Sequence, residues 1–179
     1  MAKTASKPRG RRGKADPPPE VVISGELDEE TVGDLLRELL EVEPGGAATL
    51  YFDSSGGSVY SALAVAALIR HRRIDATAVV LSECSSAALI VFAACRRRQV
   101  TPLSVFLFHR VKWRGEKDMR REEAANWAKH FEWLETEADR FQAQMFGSGE
   151  EQVRAWIEEG RFVLGPEMVA LGLAELLPE

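Results

Sequence analysis

The sequence predicts an α/β fold in which helices pack on a largely parallel sheet. Two observations carry the prediction. A strand, polar turn and short apolar helix occur twice in succession between Ala48 and Cys95, and a third apolar strand, Val105 to Phe108, follows. The chemically versatile residues, Gly56-Gly57, Ser85-Ser86 and His109, all fall just past the ends of these strands. In open α/β sheets that edge is where functional groups collect.

Taken in order, Val21 to Ser24 suits a short strand. Asp28 can cap a helix whose Val32, Leu35, Leu36, Leu39 and Leu40 recur at helical spacing, and Pro44-Gly45-Gly46 stops it. Ala48 to Asp53 is the next strand, closed by the turn Ser54 to Gly57, and the Ala-rich stretch Val59 to Arg70 is a helix. Ala76 to Leu81 is β-branched and apolar, Ser82 to Ser85 is a polar turn, and Ser86 to Cys95 is a short buried helix. Asp118 to Phe146 has no Gly or Pro. Its Ala124, Trp127, Ala128, Phe131, Leu134, Ala138, Phe141 and Met145 form one helical stripe. A helix of that length would be roughly 43 Å long at 1.5 Å per residue, more than a domain of this size spans, so part of it should project and self-associate. The chain closes with a helix from Glu150 to Glu159, Gly160, a strand from Arg161 to Leu164, a turn at Gly165-Pro166, and a last helix ending near Gly172.

Charge divides the chain. Residues 1–16 hold Lys3, Lys7, Arg9, Arg11, Arg12 and Lys14 against Asp16 alone, while the other 17 of the 23 basic residues face 27 of the 28 acidic ones. A basic, proline-backed head with almost no apolar side chains cannot repay the entropy of ordering. Residues 1–19 therefore read as a flexible tail and 20–179 as one acidic domain, with 45% hydrophobic residues across the chain for a core. The tail has no aromatics or periodicity to argue for nucleic acid. The longest apolar runs, Ala62–Ile69 and Ala87–Cys95, are far short of a membrane span. The expected location is the cytoplasm. Cys84 and Cys95 have no Cys or His at ligand spacing, so neither metal, cofactor nor disulfide is expected.

Acyl transfer needs a nucleophile, a base within reach and donors where the oxyanion forms. Ser86 opens a helix directly after a strand and turn, which lifts its hydroxyl to the sheet edge beside the Ala87 N–H. Gly57 lets substrate approach the backbone closely. Singly, each has a plainer reading: Ser85 and Ser86 fit helix N-caps, Gly56-Gly57 a turn, and His109 a satisfied core histidine. His71, near a helix end, and His130, on the long helix, attract less interest.

The ordered set Tyr51-Phe52-Asp53-Ser54-Ser55-Gly56-Gly57-Ser58-Val59, Ser82-Glu83-Cys84-Ser85-Ser86-Ala87-Ala88 and Phe106-Leu107-Phe108-His109 resembles the Clp protease proteolytic subunit family. The resemblance runs from Val21-Val22-Ile23-Ser24-Gly25 through the long handle-like helix to Pro166–Leu173. It implies a ClpP/crotonase-like spiral of ββα units with a projecting handle helix. It also implies a serine endopeptidase with Ser86 as nucleophile, His109 as base, and Gly57 and Ala87 N–H groups as oxyanion hole. The implied assembly is a homo-oligomer of heptameric or tetradecameric rings cleaving peptide substrates in a chamber, served by an AAA+ unfoldase or a paralogous subunit. The family's third catalytic residue, an Asp, is replaced here by Gly160, which suits a helix C-cap. Glu159 is the tentative substitute, with Glu158 beside it. Ser55, Ser82, His71 and Gln99 also depart from the family's pattern. The rival readings are a catalytically impaired scaffold subunit of a mixed ring, or an acyl-CoA enzyme of the crotonase group.

Overall fold

A computed structural model of the chain describes residues 17–112, 118–147 and 150–178. The basic segment 1–16 lies outside the described residues. Pro17 to Pro19 are exposed, and the Pro19 carbonyl already accepts the Thr49 N–H at 2.9 Å, so the sheet edge begins at the last proline.

The elements are β1 (Glu20–Leu27), α1 (Glu29–Glu41), β2 (Ala47–Gly57), α2 (Val59–His71), β3 (Asp75–Cys84), α3 (Ala88–Ala94), β4 (Arg97–Val100) and β5 (Val105–Leu107). After these come α4 (Arg121–Phe146), α5 (Glu150–Glu159), β6 (Phe162–Leu164), α6 (Gly165–Ala170) and β7 (Glu175–Leu176). Strands β1-β2-β3-β4-β7 form a parallel sheet in that order. Strand β5 leaves the far end of β3, also parallel, and β6 pairs with it antiparallel. The predicted parallel α/β layer is what forms. Alternating burial along β1 and β2 puts Val21, Ile23, Leu50 and Phe52 inside, against Val32, Leu35 and Leu39 of α1 and Ala62, Val65 and Ile69 of α2. Asp28 caps α1 as expected: its Oδ1 accepts the Thr31 N–H at 2.8 Å, which holds its carboxyl below the usual range.

Three expectations are corrected, and one strand was not foreseen. The segment Ser54–Gly57 is not a turn but the kinked end of β2: Gly56 and Gly57 stay in register with Glu26 and Leu27, with bulges absorbing the shift. Likewise β3 continues through Ser82 to Cys84 rather than turning. Helix α3 starts at Ala88, two residues later than Ser86, for the reason given below. Strand β4 was not expected, because Arg97-Arg98-Gln99 has no apolar pattern. Arg98 is nonetheless half-buried, donating to the carbonyls of Leu173, Ala93 and Met145 while lying over the Phe146 ring.

The aromatic core is centred on Phe92 of α3, whose ring meets Phe52, Phe106 and Phe146 at centroid distances of 6.0, 5.4 and 6.0 Å. It holds β5 and the C-terminal part of α4 against the main sheet. Helix α4 is 26 residues, about 39 Å at 1.5 Å per residue. Its buried residues, Leu134, Ala138, Gln142, Ala143 and Phe146, all lie in the second half, while Trp127 and Trp133 stay exposed. The first half projects, as its length required, tied to α2 by the Tyr60–His130 hydrogen bond.

Both cysteines are buried and free. Desolvation raises Cys84 well above the ordinary thiol range and pushes Cys95 up to about 12. The thiolate is the reactive species. A thiol reagent such as dithionitrobenzoate is therefore expected to leave the native protein unmodified and to titrate both thiols only in denaturant; rapid reaction of either in the native state contradicts this placement.

Candidate active site

Ser86 is placed by three strands at once. The Ser54 carbonyl of β2 accepts the Ser85 N–H at 2.9 Å, and the Leu107 carbonyl of β5 accepts the Ser86 N–H at 2.9 Å. Between these anchors Ser86 adopts φ 54°, a left-handed conformation that costs a non-glycine residue about 1–2 kcal/mol. The chain therefore cannot enter helix geometry at Ser86. It does so at Ala87, which is the N-cap and makes no side-chain capping bond. This disposes of the capping reading of Ser85 and Ser86. A serine in a strained bend between a strand and a buried helix has its hydroxyl presented at the sheet edge instead of folded back on the helix end.

Glycine is required next to it. A Cβ on Gly56, whose φ is +98°, would stand 2.7 Å from the Ser85 carbonyl oxygen, 2.7 Å from Ser86 Cβ and 2.9 Å from the Ala87 nitrogen. Gly57 is equally hemmed in on its other side, where a Cβ would meet the Leu27 backbone at 2.7 Å. Ser54, not singled out from the sequence, organises this corner. Its buried hydroxyl donates to the Gly25 carbonyl at 2.6 Å and accepts the Gly56 N–H at 3.2 Å. A serine two residues before a glycine pair was the only sequence signal for it. Among the described residues the Ala87 N–H has no acceptor, which leaves a buried donor open beside Ser86.

His109 ends the β5 extension. Its ring is half-buried, and its Nδ1 lies 2.6 Å from the Arg110 carbonyl oxygen. A carbonyl can only accept, so Nδ1 is the donor of this contact, and in the neutral ring that leaves Nε2 as the acceptor nitrogen. Ser86, Ala87, Gly57 and His109 line one cleft of about 390 Å³, floored by α3 and walled by α4 and α5. Ser86 and His109 do not hydrogen-bond to one another among the described residues. Such pairs are commonly loose without substrate.

The structure brings four of the five sequence-nominated residues to this cleft and leaves the fifth outside. Glu159 is exposed at the end of α5, away from the lining. Glu158 lines the cleft, with its Oε1 3.2 Å from Arg110 Nη2. Gly160 takes φ +66° and caps α5, its N–H donating to the Ile157 carbonyl at 3.2 Å. The antiparallel register Leu107↔Phe162, continued by the Phe108 N–H to the Arg161 carbonyl at 2.9 Å, sets Gly160 across from His109. A Cβ there would touch nothing within 4 Å. We expect Gly160→Asp to fold, since Asp tolerates the left-handed region, and to raise kcat for peptide hydrolysis at least about tenfold by supplying the imidazolium with a carboxylate. An unchanged kcat in the folded variant, measured across pH, would contradict this alignment of residue 160 with His109.

A family model described as Clp protease matches residues 18–177. The ATP-dependent Clp protease proteolytic subunit 1 of Corynebacterium diphtheriae is 26% identical over 160 residues, covering 87% of this chain and 76% of that protein. Subunit 2 of Corynebacterium jeikeium is 24% identical over 160 residues, with the same coverage of both chains. Among solved structures, a ClpP1 mutant from Listeria monocytogenes superposes with a TM-score of 0.79, covering 89% of this chain and 91% of that one, at 20% sequence identity. At that identity the superposition shows the shared fold.

Proposed function

This chain belongs to the Clp protease family, and from that premise we propose that it is a serine endopeptidase subunit in which Ser86 is the nucleophile, His109 the general base, and the Ala87 and Gly57 N–H groups the oxyanion hole. The observation that carries the reading is the strained bend at Ser86, held by the Leu107 carbonyl, beside an open Ala87 N–H and an imidazole whose Nδ1 proton is already engaged. Ser86 Oγ attacks the scissile carbonyl carbon as His109 Nε2 takes its proton. The resulting oxyanion is stabilised by the backbone donors, and the C–N bond breaks as His109 returns the proton to the leaving nitrogen. Water, deprotonated by the same imidazole, then hydrolyses the acyl-serine and restores the hydroxyl.

In this reading the Arg110 carbonyl takes over part of the work of the missing carboxylate. It fixes the tautomer and the ring, but as a neutral dipole it stabilises the imidazolium less than a carboxylate does. The site is expected to turn over slowly. The absence of an acid at position 160 also favours a second reading, that of a scaffold subunit in a mixed ring completed by a paralogous subunit.

The exposed Trp127 and Trp133 on the projecting half of α4 support association of copies of this chain; rings, heptameric or stacked as a tetradecamer, and an AAA+ ATPase that supplies unfolded substrate are proposed from the family membership. Among the described residues no helix is long and apolar enough to cross a membrane; the cytoplasm is the proposed site of action. The experiment is size-exclusion chromatography of the purified chain with a fluorogenic-peptide assay on each fraction. Hydrolysis that co-elutes with an assembled species, and is blocked by a serine-directed phosphonate, is the expected result. A monomer, or a ring with no phosphonate-sensitive hydrolysis, would reject the endopeptidase reading, and the inactive ring would leave the scaffold one.

A further inference from the structure

Beyond Ser86, the cleft runs along Leu89 and Ile90 of α3 to a wall formed by Phe108, Ala138 and Ile157, all buried and apolar. Charged groups such as Glu135, Asp139 and Glu158 lie on the less buried part of the lining, and among its buried residues one is polar. Gln142, one turn after Ala138 on α4, lines the same cleft at 6% exposure, and its Oε1 has no hydrogen-bond partner among the described residues. Helical periodicity placed Phe141 on the inward stripe of α4, where it packs partly buried against the core; Gln142 is buried beside that stripe as well. A buried amide oxygen without a partner is unfavourable in the free protein, and a leucine there would relieve it. Its presence is accounted for if the substrate completes the hydrogen bonds.

We propose that Gln142 sets the specificity of this site for a substrate residue bearing a side-chain carboxamide, glutamine or asparagine, on the acyl side of the cleaved bond. The inference rests on Ser86 as the nucleophile, because that places the acyl-side residue at the mouth of the Leu89–Ile90 channel. A 180° rotation of the Gln142 amide exchanges its donor and acceptor ends at almost no steric cost. A second carboxamide answers both ends at once with matching planar geometry, its N–H₂ donating to the Gln142 oxygen and its own oxygen accepting from the Gln142 nitrogen. Aliphatic side chains fit the apolar walls but leave Gln142 Oε1 unpaired in a drier pocket, and sites built around a buried hydrogen-bonding group discriminate against such ligands.

The test separates recognition from turnover. Calorimetric binding of N-acetylated product tripeptides ending in Gln, Asn, Leu or Met is measured on the assembled Ser86→Ala protein, and kcat/KM for the matching fluorogenic peptides on the active one. The Gln- or Asn-ended peptide should bind roughly tenfold to a hundredfold more tightly than the Leu-ended one, and Gln142→Leu should reverse the order. Equal or tighter binding of the Leu- or Met-ended peptide to the parent protein, including no detectable binding of the carboxamide peptides, overturns the proposal. So does an order of preference that Gln142→Leu leaves unchanged. Carboxamide-selective binding without phosphonate labelling of Ser86 would sustain the pocket while rejecting the peptidase reading.

Discussion

Ser86→Ala is expected to abolish peptide hydrolysis, a fall in kcat of roughly 10³-fold or more, while leaving folding and product binding essentially intact. The clean separation follows from how the residue is held. The bond that fixes it is made by its backbone N–H to the Leu107 carbonyl, and its φ of 54° costs alanine about what it costs serine, in the range of 1–2 kcal/mol. Only the Oγ is removed. Stopped-flow or long-time-course hydrolysis, with thermal unfolding as the control, checks both halves. Residual activity near the parent level would move the nucleophile elsewhere.

Gly56→Val should be the most damaging single change outside the reacting groups. The added Cβ meets the Ser85 carbonyl oxygen and Ser86 Cβ at 2.7 Å and the Ala87 nitrogen at 2.9 Å; the first and last are buried backbone atoms and the Cβ is fixed to its own backbone, so none can swing aside like the end of a flexible side chain. At φ +98° a β-branched residue is also strained in its own right. Displacement of the Ser86 bend by about 1 Å is enough to lose roughly 10² in rate, and the combined steric and conformational cost is on the order of several kcal/mol of stability. Gly45→Ala is the matched control. Gly45 has φ +78° but open space around a would-be Cβ, so it should cost only about 1–2 kcal/mol and leave hydrolysis unchanged. Equal effects of the two substitutions on kcat would show that close approach at Gly56 does not shape the site.

What was legible in the sequence was the part encoded by local pattern. Strand–helix alternation gave the parallel sheet, and Gly57, Ser86 and His109, in order at or just past strand ends, pointed to the cleft they line. Less visible was anything created by pairing across the fold. The Ser54–Gly57 segment has turn composition, yet it remains extended because β1 supplies partners at Glu26 and Leu27. Strand β4 hides behind arginines whose burial depends on carbonyls from α4 and the C-terminal segment. The tautomer of His109 is set by a backbone oxygen, Arg110, which no side-chain pattern announces. Glu159 was nominated by proximity in the chain to Gly160, but the last turn of α5 directs Glu158 to the cleft and Glu159 to solvent. Gln142 escaped notice because a single glutamine on a charged amphipathic helix is ordinary until the structure shows it buried.

The central claim, that Ser86 is an activated nucleophile, is tested most directly by incubating the assembled protein with a fluorophosphonate and measuring its intact mass, followed by peptide mapping. One phosphonyl group per subunit, located on Ser86 and absent after His109→Ala, is the result this account predicts. No adduct on an intact ring, or an adduct on a different serine, would contradict it.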